Sequence, residues 1–248
     1  MKKLEIFFYF LFLTIPTIEA KEKVKDENII LPDTSIIDIP TSGIIDYYGF
    51  NFKTRFYTQG GVLTYLNFGV MERLNLGASF MIDSLIGANS PVRMRRPEMH
   101  VKFRFYDGGI YLPSLALGYD GQGYYYDRDL KKYMEKGKGL YLVGSREVLF
   151  PGFIGSAGFN IPDFDDNYLF AFLGISYTIE DKLALLAEYD NLFHSDSKER
   201  FNIGSRIYIT PSFNLDIAIR ELGSNDKFSN GWSRKPERII QLKYNTSF

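Results

Sequence analysis

The feature that most constrains this chain is a side-chain period of two, which runs from near Ile44 to its last residue. Met99, Val101, Phe103 and Phe105 alternate with Glu98, His100, Lys102, Arg104 and Tyr106. Leu74, Leu76, Ala78, Phe80 and Ile82 oppose Asn75, Gly77, Ser79, Met81 and Asp83 in the same way, and Phe213, Leu215, Ile217 and Ile219 oppose Asn214, Asp216, Ala218 and Arg220. Residues two apart share a face only in an extended strand, and no long stretch favours the 3.6-residue period of a helix. The expected fold is all-β.

Strand length and connection length narrow this further. About twelve alternating segments, each near the 9 to 11 residues of a tilted membrane strand, fill residues 43–248. Glu72-Arg73, residues 107–109, 150–152, 180–182 and 210–212 are tight turns, whereas 84–97, 120–138, 162–167, 191–199 and 222–237 are longer. Thr58-Gln59-Gly60 is the single short connection among the long ones. Short turns on one rim and long loops on the other predict a transmembrane antiparallel up-and-down β-barrel with periplasmic turns, extracellular loops and both termini in the periplasm.

Alternation also suits a soluble sandwich or a lipocalin-like barrel, so the direction of the faces has to be argued. Side chains crowd on the concave side of a closed sheet. The polar face carries the small residues Gly77, Ser79, Gly118 and Gly204, and the other face carries Phe, Leu and Ile. The apolar face is therefore expected to be convex and to meet outer-membrane lipid. The last strand alternates up to a terminal Phe248, an ending that resembles the assembly signal read by the barrel-assembly machinery of bacterial outer membranes.

Residues 1–20, MKKLEIFFYFLFLTIPTIEA, have two lysines, an apolar run too short to span a bilayer, and Ile18-Glu19-Ala20 as a cleavage site. This predicts a removable signal peptide. Residues 21–42 are mixed and Pro-punctuated and are expected to form a periplasmic leader before the barrel.

The chain has no Cys and 2 His, which excludes thiolate sites and His-rich metal centres. Its formal charge of −1 gives no global field for nucleic acid. No cofactor is implied. The expected lumen lining holds the cations Lys53, Arg55, Lys102, Arg104, Arg206, Arg220 and Lys243 against Asp83, Glu98, Asp120, Glu188, Asp190 and Asp216, with His100 among them. Ion pairing that fills the interior is the favoured account, because buried charges cost less when paired. The functional account is a polar conduit in which Lys53, Arg55, Lys102, Arg104 and Lys243 form a basic stripe with mild anion preference.

Other classes of function have weaker signals. A barrel-embedded lipid hydrolase would need His100 beside a Ser, and His100 faces inward by parity. His194-Ser195-Asp196 reads as a solvated loop. Glu188 and Asp190 share a face, as glycosidase carboxylates could, yet any strand makes such pairs. Asp163, Asp165 and Asp166 lack Ca²⁺-loop spacing. In the longest loop, Tyr124, Tyr125, Tyr126 and Tyr133 suit sugar contact, with an interfacial aromatic belt as the simpler explanation. A filled structural or adhesive barrel is the remaining alternative.

Ile39-Pro40-Thr41-Ser42-Gly43, the Gly60-Gly61 hairpin, Glu72-Arg73-Leu74-Asn75-Leu76-Gly77 and LPSLALGYDGQGYYY at 112–126 give the chain a resemblance to the YjbH-like outer-membrane proteins associated with exopolysaccharide production. The resemblance covers about residues 38–190 and implies a single barrel module in the outer membrane, with a link to surface polysaccharide. It assigns no catalytic or binding residue.

Overall fold

A computed structural model describes residues 32–88, 91–109, 111–162, 168–193 and 199–246. Twelve long strands form one antiparallel ring. They are β1 (Phe50–Tyr57), β2 (Gly61–Met71), β3 (Leu74–Asp83), β4 (Glu98–Tyr106), β5 (Ser114–Asp120), β6 (Gly139–Glu147), β7 (Phe153–Ile161), β8 (Phe170–Ile179), β9 (Leu183–Leu192), β10 (Arg200–Tyr208), β11 (Phe213–Arg220) and β12 (Glu237–Asn245). Each pairs with its sequence neighbours, and β12 closes on β1 from Asn51 opposite Asn245 to Phe56 opposite Ile240. Closure leaves the sheet without a free edge, which a sheet in hydrocarbon requires. Among the described residues no helix is long and apolar enough to cross a membrane, so crossing falls to the strands.

The two faces point as curvature predicts. Phe103, Ile217 and Leu173 are 45%, 48% and 51% exposed on the outside, whereas the inward Arg55, Arg206 and Arg220 are at most 1% exposed. A convex surface of Phe, Leu and Ile around an ionic interior is stable only against acyl chains. Gly77 and Gly118 lie on the concave side, where a Cβ would meet Asn67 and Tyr141 across the sheet. The tight turns gather on one rim and the long loops on the other. Two short ribbons extend the long-loop rim, one pairing Tyr124–Asp127 with Lys132–Glu135 and the other Asp226–Lys227 with Ser233–Arg234.

The lumen is not empty. Residues 33–46, ten of them from the stretch expected to precede the barrel, enter from the short-turn rim as a hairpin. Pro32 and Asp46 both lie beside Asn245 and Thr246 at the end of β12, and the Tyr48 amide donates to the Gly69 carbonyl near the end of β2, at 2.9 Å. The bend is closed by a bridge between Ser35 and Pro40. At its tip Ile36, Ile37 and Ile39 are buried and pack with inward residues of the wall, among them Ala116, Val143, Phe172, Ala184 and Ile239. Gly174 of β8 makes this possible, since a Cβ there would collide with Ile36 and Ile39.

Candidate functional site

The site is the contact between this hairpin and the ionic wall. Strand parity places Lys53 and Arg55 of β1, Lys102 of β4, Glu188 of β9, Arg206 of β10, Asp216 and Arg220 of β11 and Lys243 of β12 around one axis, all buried. What they hold is mainly the hairpin. Glu188 Oε1 accepts the backbone N–H groups of Ile37 and Ile39 at 2.5 and 2.9 Å, and both of its oxygens accept from Asp38, at 2.8 and 3.1 Å. Lys102 Nζ donates to the carbonyls of Thr34, Thr41 and Gly43 at 2.7 to 3.1 Å. Arg206 donates to the Ile36 carbonyl at 2.8 Å while paired with Asp216 and Asp33, and Lys243 pairs with Asp216 at 3.0 Å. The wall thus supplies to the hairpin the backbone partners that a neighbouring strand would otherwise supply.

One side chain of the hairpin joins the ionic network. Asp38 Oδ1 meets Arg55 Nη1 at 2.7 Å and Oδ2 meets Arg220 Nε at 2.6 Å. Burial pushes the Asp38 carboxyl up, but Arg220, Arg55 and Arg200 outweigh it and hold the group well below the usual carboxylate range. Arg220 also reaches Glu135 and Glu237 at 2.6 and 2.7 Å, and its guanidinium lies 4.1 Å from the Tyr124 ring centre. Arg55 donates to the Tyr124 hydroxyl at 2.5 Å and to Gln241 at 3.1 Å. Glu135 pairs further with Arg200, and Arg200 and Lys138 share Asp190. A cavity of about 90 Å³ lies beside Asp38, Arg55 and Tyr124, room for several waters.

The remaining expected lumen residues sit toward the rims. Asp83 accepts from Tyr57 and Arg95, Glu98 accepts from Tyr133 at 3.3 Å, and Arg104 pairs with Asp107 at 2.9 Å. His100 Nδ1 lies 3.0 Å from Asp120, and its buried Nε2 has no hydrogen-bond partner, so no serine is poised on this ring. Glu188 and Asp190 are already committed, to the hairpin amides and to Lys138 and Arg200. The basic stripe does not line an open conduit. Its central members Arg55, Lys102 and Lys243 are occupied by the hairpin, because buried cations take the nearest acceptors available.

The belt account of the loop tyrosines is corrected. Tyr124 is buried within the lumen among cations, Tyr125 lies tilted against Phe228 with ring centres 5.1 Å apart, and Tyr126 packs edge to face with Tyr133 and under Arg95. The ribbon bends inward because Arg55 and Arg220 offer Tyr124 a cation–π and hydrogen-bond partner that lipid headgroups would not improve. His194, the acidic run Asp163, Asp165 and Asp166, the signal peptide and Phe248 lie outside the described residues. Among the described residues no group of three or more His, Cys, Asp or Glu could hold a metal ion.

Sequence reasoning left open whether residues 21–42 plug the barrel and assigned the hairpin no conformation. Its one signal was the apolar content of the supposed polar face, where Ala184, Leu186 and Ala218 make a landing for isoleucines.

No protein-family model matches the chain, nor does any curated protein. Among solved structures it is similar to the KdgM porin, with 10% identity, 81% of this chain and 99% of that one covered, and a TM-score of 0.54. A triple mutant of the Rhodopseudomonas blastica porin aligns with 8% identity over 75% of this chain and 55% of its own length, with a TM-score of 0.37. The first likeness shows the fold: a closed antiparallel β-barrel.

Proposed function

We propose that this protein is an outer-membrane channel closed at rest by its own residues 33–46. The observation that carries this reading is the direction of the hairpin. Both of its ends lie at the short-turn rim, so it can withdraw toward the periplasm without threading the barrel. It is held by hydrogen bonds and ion pairs rather than by a covalent link. A twelve-stranded ring is intermediate between small filled barrels and wide porins, and here the space a solute would need is the space the hairpin takes.

The channel acts as an accessory to surface polysaccharide in this reading. Supporting it are the YjbH-like motifs and a basic outer vestibule in which Arg95, Arg96, Lys131 and Lys132 surround Glu98, Tyr126 and Tyr133. Outer-membrane lipid is the partner that its convex face suits, with the barrel-assembly machinery as the route of insertion.

Planar-bilayer recordings of the purified full chain test the reading. Wild-type protein should give rare, brief openings, and Glu188→Ala, which lacks the anchor for three hairpin amides, should give long ones. Silence from both, with insertion shown by heat-modifiable migration, would return the filled structural barrel.

A further inference from the structure

The Asp38 carboxylate occupies a site that the wall builds without it. Arg55, Arg220 and Tyr124 are positioned by wall and loop partners: Gln241 accepts from Arg55, Glu135 and Glu237 flank Arg220, and Tyr124 lies against both guanidinium groups. Arg220 keeps two carboxylates if the hairpin leaves. Arg55 does not. Among the described residues Asp38 is the only carboxylate within ion-pair distance of Arg55, whose side chain is 1% exposed. The hairpin also covers this guanidinium, through the Ile37 carbonyl at 2.8 Å, so withdrawal would leave Arg55 with no paired anion and a position that favours one.

The geometry points to the Arg55–Arg220 pair as a binding site for the carboxylate of a small solute, which Asp38 fills in the closed state and which solute and hairpin contest. This rests on the channel reading above and names the class of solute the channel takes. The two oxygens of Asp38 are divided between two guanidinium groups, with Asn202 Nδ2 3.4 Å from the second oxygen, an arrangement matched to a planar carboxylate. The cavity beside it provides the approach, being lined by Asp38, Arg55 and Tyr124 together with Lys53. Lys53 adds a hydrogen-bond donor along that path. Its ammonium has no carboxylate within ion-pair distance among the described residues and rests 3.8 Å from the Tyr65 ring centre. A solute that displaces Asp38 therefore loosens the hairpin that blocks it.

The chain has no Cys, so one introduced thiol reports hairpin position without background. Ser42 is 2% exposed, its amide donates to Ser145 Oγ at 2.9 Å, and Ser42→Cys is nearly isosteric. The rate of labelling by a membrane-impermeant maleimide is measured on the full chain in sodium gluconate, and in sodium chloride of equal ionic strength with sorbitol added. Gluconate should raise the rate several-fold over chloride with sorbitol. Adding Asp38→Asn should raise it in both media and remove the gluconate dependence. If Asp38→Asn accelerates labelling while gluconate does not, the hairpin moves and the carboxylate site is wrong. If gluconate accelerates labelling while bilayers never conduct, the site stands and the channel reading fails. Slow labelling under every condition overturns both. Ser35→Cys serves as a second reporter should Ser42→Cys disturb folding.

Discussion

Both carboxylate oxygens of Glu188 accept the backbone N–H of Asp38, so a wall acid is held by the amide of a residue that is itself an acid. The charge of Asp38 is directed instead to Arg55 and Arg220. The amides of Ile37 and Ile39 donate to Glu188 as well, and among the described residues its one side-chain partner is Asn202, at 2.9 Å. An anion placed in the wall with mostly hairpin amides to hold would be a liability in a barrel whose lumen stayed open.

Glu188→Ala is therefore expected to act on the hairpin and spare the barrel. Three buried N–H groups lose their acceptor, at about 1–3 kcal/mol each before water enters to replace it. The strand ladder and the lipid-facing surface are untouched. The melting temperature of the heat-modifiable barrel should change little, while backbone amides of residues 36–39 should exchange with solvent much faster than in wild type. Unchanged exchange at those amides would show that the isoleucines hold the hairpin without Glu188.

Gly174→Val probes the same contact by steric means. Valine suits a strand, and the backbone of Gly174 needs no positive φ, so the wall itself should accept the change. The new side chain would occupy the space of Ile36 and Ile39 and drive the hairpin outward. Gly155→Val is the control, because a Cβ there meets nothing nearer than 3.5 Å. In the Ser42→Cys background, labelling should accelerate for the Gly174 variant and stay at the parent rate for the Gly155 variant.

The outer mouth should tighten as the medium is acidified. Burial, then the charge of Glu135, pushes the Glu221 carboxyl up to about 7, with Arg220 and Arg234 opposing and a hydrogen bond to Glu135 adding to the rise. The protonated form is thus favoured in the folded mouth. Its stabilisation is full below the ordinary carboxylate range and is lost as pH rises through about 7. The pair ties residues 221–236 to the ribbon that carries Glu135. Hydrogen exchange in residues 221–236, corrected for intrinsic rates, should show protection falling between pH 5 and 8, as expected for a titration centred near 7. In Glu221→Gln protection should hold flat across that range. A wild-type profile as flat as the variant's would remove the pair from the mouth's design.

The barrel was legible because its physics is local: a period of two, turn residues at fixed intervals and small residues where the sheet is concave are all properties of neighbouring positions. The direction of Lys53, Arg55, Lys102, Arg206 and Lys243 followed from parity alone. The hairpin was not legible, because residues 33–46 have no period and take their conformation from groups far along the chain, Glu188 and Arg220 above all. Tyr124 was misplaced for a related reason. A loop tyrosine near a membrane has two apolar destinations, and which one wins depends on cations contributed by β1 and β11, which are distant in sequence.

Ile217 decides whether the convex surface meets lipid or water. It is 48% exposed in the middle of β11, between the inward Asp216 and Ala218. In water Ile217→Arg would be a surface change worth less than about 0.5 kcal/mol. At the midplane of a bilayer the same change costs about 2–4 kcal/mol for an outward-facing strand position. Folding into lipid vesicles, followed by the heat-modifiable band in a urea titration, should show a loss in the larger range for Ile217→Arg. Thr54→Arg, outward on β1 and already polar, should lose less. Equal stability of wild type and Ile217→Arg in vesicles, with both soluble when detergent is removed, would mean that the apolar face does not meet acyl chains.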